Sequence, residues 1–123
     1  MAIKKRPFIL AAMLGLVSAF AVWVHASEYE LETWAGDFDL PWSIAFLPDG
    51  SALVTELGGK LFHVDASGQT RDQIAIVPGV YFAGQGGLFD VVLHPQFDEN
   101  RLVYLSYAEG GKKDNGTAVA RGR

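Results

Sequence analysis

The chain has no cysteine among its 123 residues. It therefore carries no disulfide framework and no thiol chemistry, whatever its redox compartment. Basic residues are scarce, and three of the ten, Lys4, Lys5 and Arg6, crowd the N-terminus. Residues 27–123 retain seven basic against fourteen acidic side chains, a formal charge of −7. That balance argues against nucleic acid or an anionic membrane surface as a partner. The three histidines, His25, His63 and His94, show no metal-ligand spacing. There is no phosphate-cradling Gly-x-x-x-x-Gly-Lys-Ser/Thr run and no Gly-x-Ser-x-Gly nucleophile elbow. Downstream of residue 26, helical periodicity is almost wanting.

What is present begins with a leader. Lys4-Lys5-Arg6 precede an uncharged run from Pro7 to Val24, rich in Ala, Leu, Val and Phe. Val24-His25-Ala26 then offers small residues at both specificity positions of a signal-peptidase site, with Ser27 as the new N-terminus. Residues 1–26 are thus expected to be a Sec-type signal peptide that delivers residues 27–123 to a bacterial periplasm. An apolar run of about eighteen residues also just reaches the length of a membrane span. An uncleaved anchor is the alternative, and membrane contact is expected only in that case.

The remainder reads as short strands separated by turn residues, an all-β pattern. Tyr29–Trp34 alternates apolar and polar, as a half-buried strand does. Ser43–Leu47 is an apolar run stopped by Pro48-Asp49-Gly50, and Ala52–Glu56 follows it. Gly58-Gly59 leads into Lys60–Val64, and Asp65-Ala66-Ser67-Gly68 into a strand near Gln73–Val77. Leu88–Leu93, Leu102–Tyr107 and Thr117–Gly122 complete the series. Turns every eight to twelve residues specify a sandwich, a barrel or a propeller.

An internal repeat chooses among these. Ile44–Leu47 and Val91–Leu93-His94 are apolar runs that each end at a proline, Pro48 and Pro95, 47 residues apart. An acidic turn and a further apolar strand follow in both cases, Ala52–Thr55 and Leu102–Ser106. A period in the forties with several strands per period is the signature of a β-propeller blade. A blade cannot bury both faces alone, and the last residues, Ala118–Arg123, read as a strand cut in mid-course. The chain is therefore expected to be the N-terminal part of a longer reading frame, with residues 27–123 forming a truncated propeller domain.

Gly84-Gln85-Gly86-Gly87 sits at the mouth of the apolar strand Leu88–Leu93. A polar residue walled by glycines suits a loop whose backbone approaches a ligand closely; a glycine-rich turn with a surface glutamine is the plainer alternative. Asp90 in the following strand reads as a buried, turn-stabilising carboxylate. Trp34, Trp42, Tyr81 and Phe82 are available to stack on sugars, although aromatics in a β-rich protein more often pack in the core.

Several blocks occur in a specific order: Leu40–Gly50 (LPWSIAFLPDG), Leu53–Glu56 (LVTE), Gly59–Leu61 (GKL), Gly84–Phe97 (GQGGLFDVVLHPQF), Val103–Tyr107 (VYLSY) and Thr117–Arg123 (TAVARGR). Together they make the chain resemble the N-terminal part of the soluble pyrroloquinoline-quinone (PQQ)-dependent sugar dehydrogenases. That group includes the periplasmic aldose sugar dehydrogenases and the glucose/sorbosone dehydrogenases. The resemblance implies the first one to two blades of a six-bladed β-propeller, preceded by a signal-peptide helix. It further implies an oxidoreductase that oxidises an aldose to a lactone by hydride transfer to PQQ, with calcium as a second cofactor and an external electron acceptor.

Carried onto this chain, the resemblance makes Gln85 a cofactor- and sugar-site contact. It implies a general-base histidine, the basic residues that hold PQQ and the calcium ligands beyond Arg123. No catalytic residue and no metal ligand is assigned within the chain, and the 123 residues alone are expected to be inactive. His63 and His94 read as structural. Where the family usually has arginine after Thr-Glu, Leu57 stands here, so an ion pair is expected to be lost or a rim contact changed. The alternative reading is a non-catalytic exported propeller that binds carbohydrate or protein on the same face. A metal-dependent propeller hydrolase such as a lactonase is a third, and the segment offers no convincing inward ligand set for it.

Overall fold

Asp-Gly, Gly-Gly and Ser-Gly turns break the apolar runs into seven strands, which the computed structural model arranges as two antiparallel sheets; residues 29–123 are described. The first sheet has the order β1 (Pro41–Phe46), β2 (Ala52–Glu56), β3 (Lys60–Val64) and β4 (Arg71–Ile76). The second has the order β5 (Leu88–Leu93), β6 (Val103–Gly110) and β7 (Asn115–Gly122). The strands fall within two residues of the expected bounds at most ends, and β6 runs three residues further, to Gly110. Each sheet is a simple meander, the arrangement of a propeller blade. The two sheets are successive blades, and the 47-residue repeat is the offset between their first strands, β1 and β5.

Those first strands meet. β5 packs against both β1 and β2, and the main core fills the space between the sheets. Leu53 and Leu61 of the first sheet face Leu88, Val91, Leu105 and Tyr107 of the second. Leu88 is fully buried, worth about 1.5–3 kcal/mol for a side chain of this kind. The other face of the first sheet carries a smaller core of Val54, Phe62 and Val64, covered by Trp34, Ala35 and Phe38. Covered on both faces, β2 is buried at all five positions.

One expected strand is absent. Tyr29–Trp34 forms no strand, and Tyr29 and Leu31 are 88% and 95% exposed. Alternation supplies two faces, yet a strand also needs a neighbouring edge to pair with. The chain instead lays Trp34 against Phe46, with ring centroids 5.5 Å apart, and the indole Nε1 donates to the Ala66 carbonyl at 3.3 Å. Arg71 then stacks over both Phe38 (4.9 Å) and Phe62 (5.0 Å) and donates to the Asp37 carbonyl.

A second difference is small. The Asp-Glu-Asn turn after Pro95 is a single helical turn, α1 (Phe97–Asn100), closed by Arg101 in a left-handed conformation (φ 55°). The expected signal peptide, residues 1–26, lies outside the described residues. Among the described residues no helix is long and apolar enough to cross a membrane.

Candidate functional site

Antiparallel order places the starts of β1, β3, β5 and β7 at the same end as the finishes of β2, β4 and β6. Two bonds show that both sheets share this end. The Leu88 amide donates to the Leu57 carbonyl (2.9 Å), joining the β2–β3 turn to the head of β5. The Ala108 amide donates to the Gly87 carbonyl (2.8 Å), joining β6 to the same point. Gln85 stands three residues before β5, on the crossover loop between the blades, and it is exposed.

That loop is stitched along its length. The Val77 amide donates to the Gly59 carbonyl (2.8 Å), Val80 forms an isolated bridge with Glu109, and the Tyr81 amide donates to the Ala108 carbonyl (2.7 Å). The Gly86 amide closes a turn on the Ala83 carbonyl at 2.9 Å. A loop with so many backbone partners holds its tip in one place.

The glycines do something other than the sequence suggests. A Cβ on Gly86 would lie 2.6 Å from the Tyr81 carbonyl oxygen, and one on Gly87 would lie 2.7 Å from that of Leu57. These two positions are glycine because the protein's own backbone passes close by. Gly84, with φ 60°, supplies a left-handed turn and has open space around it. Close approach of a ligand is therefore not what Gly86 and Gly87 provide; they lock the loop down so that Gln85 projects.

Next to this loop lies a carboxylate that sequence reasoning passed over. Glu56 is 3% exposed at the end of β2. Its Oε1 accepts the Asp39 amide at 2.7 Å, and its Oε2 lies 3.4 Å from Lys60 Nζ. The Leu57 amide donates to the Leu40 carbonyl at 3.0 Å. Together these hold the turn before β1, in which Asp37 (φ 62°) and Leu40 (φ 52°) sit in the left-handed region. The available signal was an acid closing an otherwise apolar run, just before Gly58-Gly59. At the position where arginine was expected, the Leu57 side chain packs over Gly87, so the rim contact is apolar and the ion pair at this corner is Glu56–Lys60.

The other singled-out residues are dispersed. Asp90 is exposed, a correction to the buried carboxylate expected, because a bulge between Leu88 and Val91 shifts the alternation of β5. His94 lies beyond the opposite end of β5, six residues of strand or about 20 Å from the Gln85 loop. Its Nδ1 accepts the Gln96 amide (3.0 Å) and lies 2.8 Å from Asn100 Nδ2, so the ring ties the two ends of the α1 turn together. His63 pairs with Leu53 and Asp72 towards that same far end. Trp42 and Phe82 are about half exposed, and the Trp42 ring lies 5.7 Å from that of Phe89 at the heads of β1 and β5.

Chemically, Gln85 presents one amide donor group and one acceptor, suited to a hydroxyl or a carbonyl. Among the described residues no three His, Asp or Glu side chains converge to hold a metal ion. Lys60 is committed to Glu56, and Arg71 to Phe38, Phe62 and Asp37. Lys112 and Lys113 stand exposed on the β6–β7 turn. The described residues thus offer no ligand cluster for calcium but do offer cations at the Gln85 end of the sheets.

Comparison with known proteins converges on one group. The profile of the Glucose / Sorbosone dehydrogenase family matches residues 38–123. The Escherichia coli (strain K12) protein named aldose sugar dehydrogenase YliI is 40% identical over 121 residues, covering 97% of this chain and 32% of that protein. The crystal structure of the soluble aldose sugar dehydrogenase from Escherichia coli, in its apo form, superimposes with a TM-score of 0.68 at 44% identity, covering 75% of this chain and 27% of that one. The PQQ-bound aldose sugar dehydrogenase from Streptomyces coelicolor superimposes with a TM-score of 0.64 at 31% identity, covering 72% and 26%. The chain spans about a third of the length of the curated Escherichia coli relative.

Proposed function

The chain belongs to the glucose/sorbosone dehydrogenase family, and from that premise we propose that the whole protein oxidises an aldose to its lactone. The cofactor in this reading is PQQ, which supplies the electron-accepting chemistry when bound; calcium is its companion, and an external acceptor takes the electrons away. What supports the reading most directly is the Gln85 loop. The block Gly84–Phe97, which carries the family resemblance, is also where backbone bonds from both blades converge.

The contribution of this segment is binding and orientation. In the proposal the Gln85 amide bonds a sugar hydroxyl or a carbonyl of the bound quinone, and the stitched loop keeps it from swinging away. Among the described residues no general base is offered, since His94 is committed to Gln96 and Asn100 and His63 lies towards the far end. A base poised near neutral pH suits removal of the hydroxyl proton, and we place that histidine, the quinone-holding cations and the calcium ligands beyond Arg123. The 123 residues without the remainder are then inactive. Residues 1–26 direct export to the periplasm in this reading, and a mature mass beginning at Ser27 would support it.

The test is direct. The whole protein is titrated with PQQ and calcium, and aldose-dependent dye reduction is followed together with the mass of the product. Dye reduction with lactone formation is the expected result. Absence of aldose-dependent reduction at saturating quinone overturns it, and stoichiometric sugar binding without turnover would favour the non-catalytic propeller.

A further inference from the structure

β5 begins with an irregularity. Its register against β6 shifts between Leu88 and Val91, which takes Phe89 and Asp90 out of the regular ladder. Backbone groups released in this way must find partners or leave a buried polar atom unpaired. Three backbone groups at the bulge meet hydroxyls. Thr55 Oγ1 donates to the Phe89 carbonyl at 2.6 Å, Ser106 Oγ accepts the Asp90 amide at 3.2 Å, and Ser43 Oγ accepts the Val91 amide at 3.3 Å.

Thr55 is the centre of this arrangement. It is completely buried in β2, and its Oγ1 also accepts the Ser43 amide at 3.1 Å. One hydroxyl thus links β1, β2 and β5, across a sequence separation of 34 residues to Phe89. Two residues along, the Leu57 carbonyl takes the Leu88 amide. Adjacent groups of β5 are therefore held by Thr55 and Leu57, four and three residues after Gln85. A valine would fill the same volume and remove the hydroxyl that meets both the Phe89 carbonyl and the Ser43 amide, two part-buried groups.

We infer that Thr55 is a positioning residue for the ligand site: through the Phe89 carbonyl it sets the head of β5, and thereby the placement of Gln85. The inference rests on the proposed role of Gln85. Bulges beside functional sites commonly re-aim the chain, and a misplacement of about 1 Å at a binding group can cost up to about 10²-fold in rate.

The whole protein tests this with Gln85→Ala, Thr55→Val, Thr55→Ser and the Gln85→Ala/Thr55→Val double variant. Readouts are kcat and KM for the aldose, equilibrium PQQ binding by tryptophan fluorescence, thermal midpoint, and amide hydrogen exchange at Gly86–Leu88. Thr55→Val is expected to raise KM or weaken quinone binding about tenfold and to speed exchange at Gly86–Leu88. The double variant should be no worse than Gln85→Ala alone, the non-additivity of groups acting through one another. Thr55→Ser keeps the hydroxyl but loses a buried methyl, so it should restore KM and binding while remaining less heat-stable than the parent. If Thr55→Val lowers only the thermal midpoint while Gln85→Ala impairs binding, the inference fails. If Gln85→Ala changes neither KM nor quinone binding, the role of Gln85 falls, and the inference falls with it, even should exchange at Gly86–Leu88 show that Thr55 pins β5.

Discussion

The Leu57 carbonyl oxygen lies where a side chain on Gly87 would begin, 2.7 Å from the position of its Cβ. The Leu57 Cδ2 is almost as near, at 2.8 Å, and the next amide, that of Leu88, is bonded to the same carbonyl. The side-chain tip can turn aside, but the bonded backbone carbonyl cannot. Gly87→Ala is therefore expected to destabilise the chain by about 1–3 kcal/mol, the range for forcing atoms into a packed interior. Urea unfolding would check it, with Gly84→Ser as the contrast. There the surroundings are open, and only the strain of the left-handed φ is incurred.

Glu56 separates a backbone anchor from an ion pair. Glu56→Gln keeps an oxygen for the Asp39 amide and loses only the charge opposite Lys60, a residue whose side chain is 43% exposed. The cost should stay within about 1 kcal/mol, as for other solvent-screened pairs. Glu56→Ala removes the acceptor for the Asp39 amide as well, and about 2–3 kcal/mol is expected from losing a hydrogen bond to a charged group. Denaturant midpoints of the two variants, measured side by side, would reveal the ordering; equal losses would show that the Lys60 pair dominates.

Acid sensitivity should appear at the β1–β2 turn. The Ser51 hydroxyl (2.6 Å) and amide (3.0 Å) both donate to Asp49 Oδ1 and hold its carboxyl below the ordinary value of 3.8. A depressed folded value favours the ionised form in the folded state. The stabilisation is thus present above 3.8 and lost as pH falls through the lower folded value. Asp49→Asn should consequently be less stable than the parent at neutral pH, with the gap narrowing towards about pH 3. Chemical unfolding at the two pH values measures it, and a gap that widens in acid would contradict the assignment.

At the far end, His94 serves the turn. Its Nδ1 meets Gln96 and Asn100, and Asn100 Oδ1 in turn accepts the Leu102 amide at 2.9 Å. His94→Ala should cost about 1–2 kcal/mol of stability through these lost bonds. In the whole protein kcat for the aldose should remain within about twofold of the parent. A collapse of kcat at unchanged thermal stability would assign His94 to the chemistry instead.

Much of the architecture could be read along the chain. β2, β3 and β5 lie where apolar runs between turn residues placed them, because a strand and its hairpin turn are specified within ten residues. The blade repeat was visible for the same reason: Pro48 and Pro95 each end the first strand of a sheet. Tyr29–Trp34 misled because its alternation is real while the edge it would pair with is not a local property. Gln85 stood out by its flanking glycines, although the reason for Gly86 and Gly87 proved to be Tyr81 and Leu57.

What the sequence determined by itself is the all-β blade pattern, the family, and the polar residue at the mouth of β5, all carried by local spacing and motif order. The tertiary structure alone decided that Glu56 anchors Asp39, that the Thr55 hydroxyl reaches Phe89, and that His63 and His94 lie away from Gln85. For Glu56 and Thr55 the physical reason is common: a buried polar group is explained by the partner that satisfies it, and those partners lie 17 and 34 residues away along the chain. The histidines are placed by the strand register, which no local pattern contains.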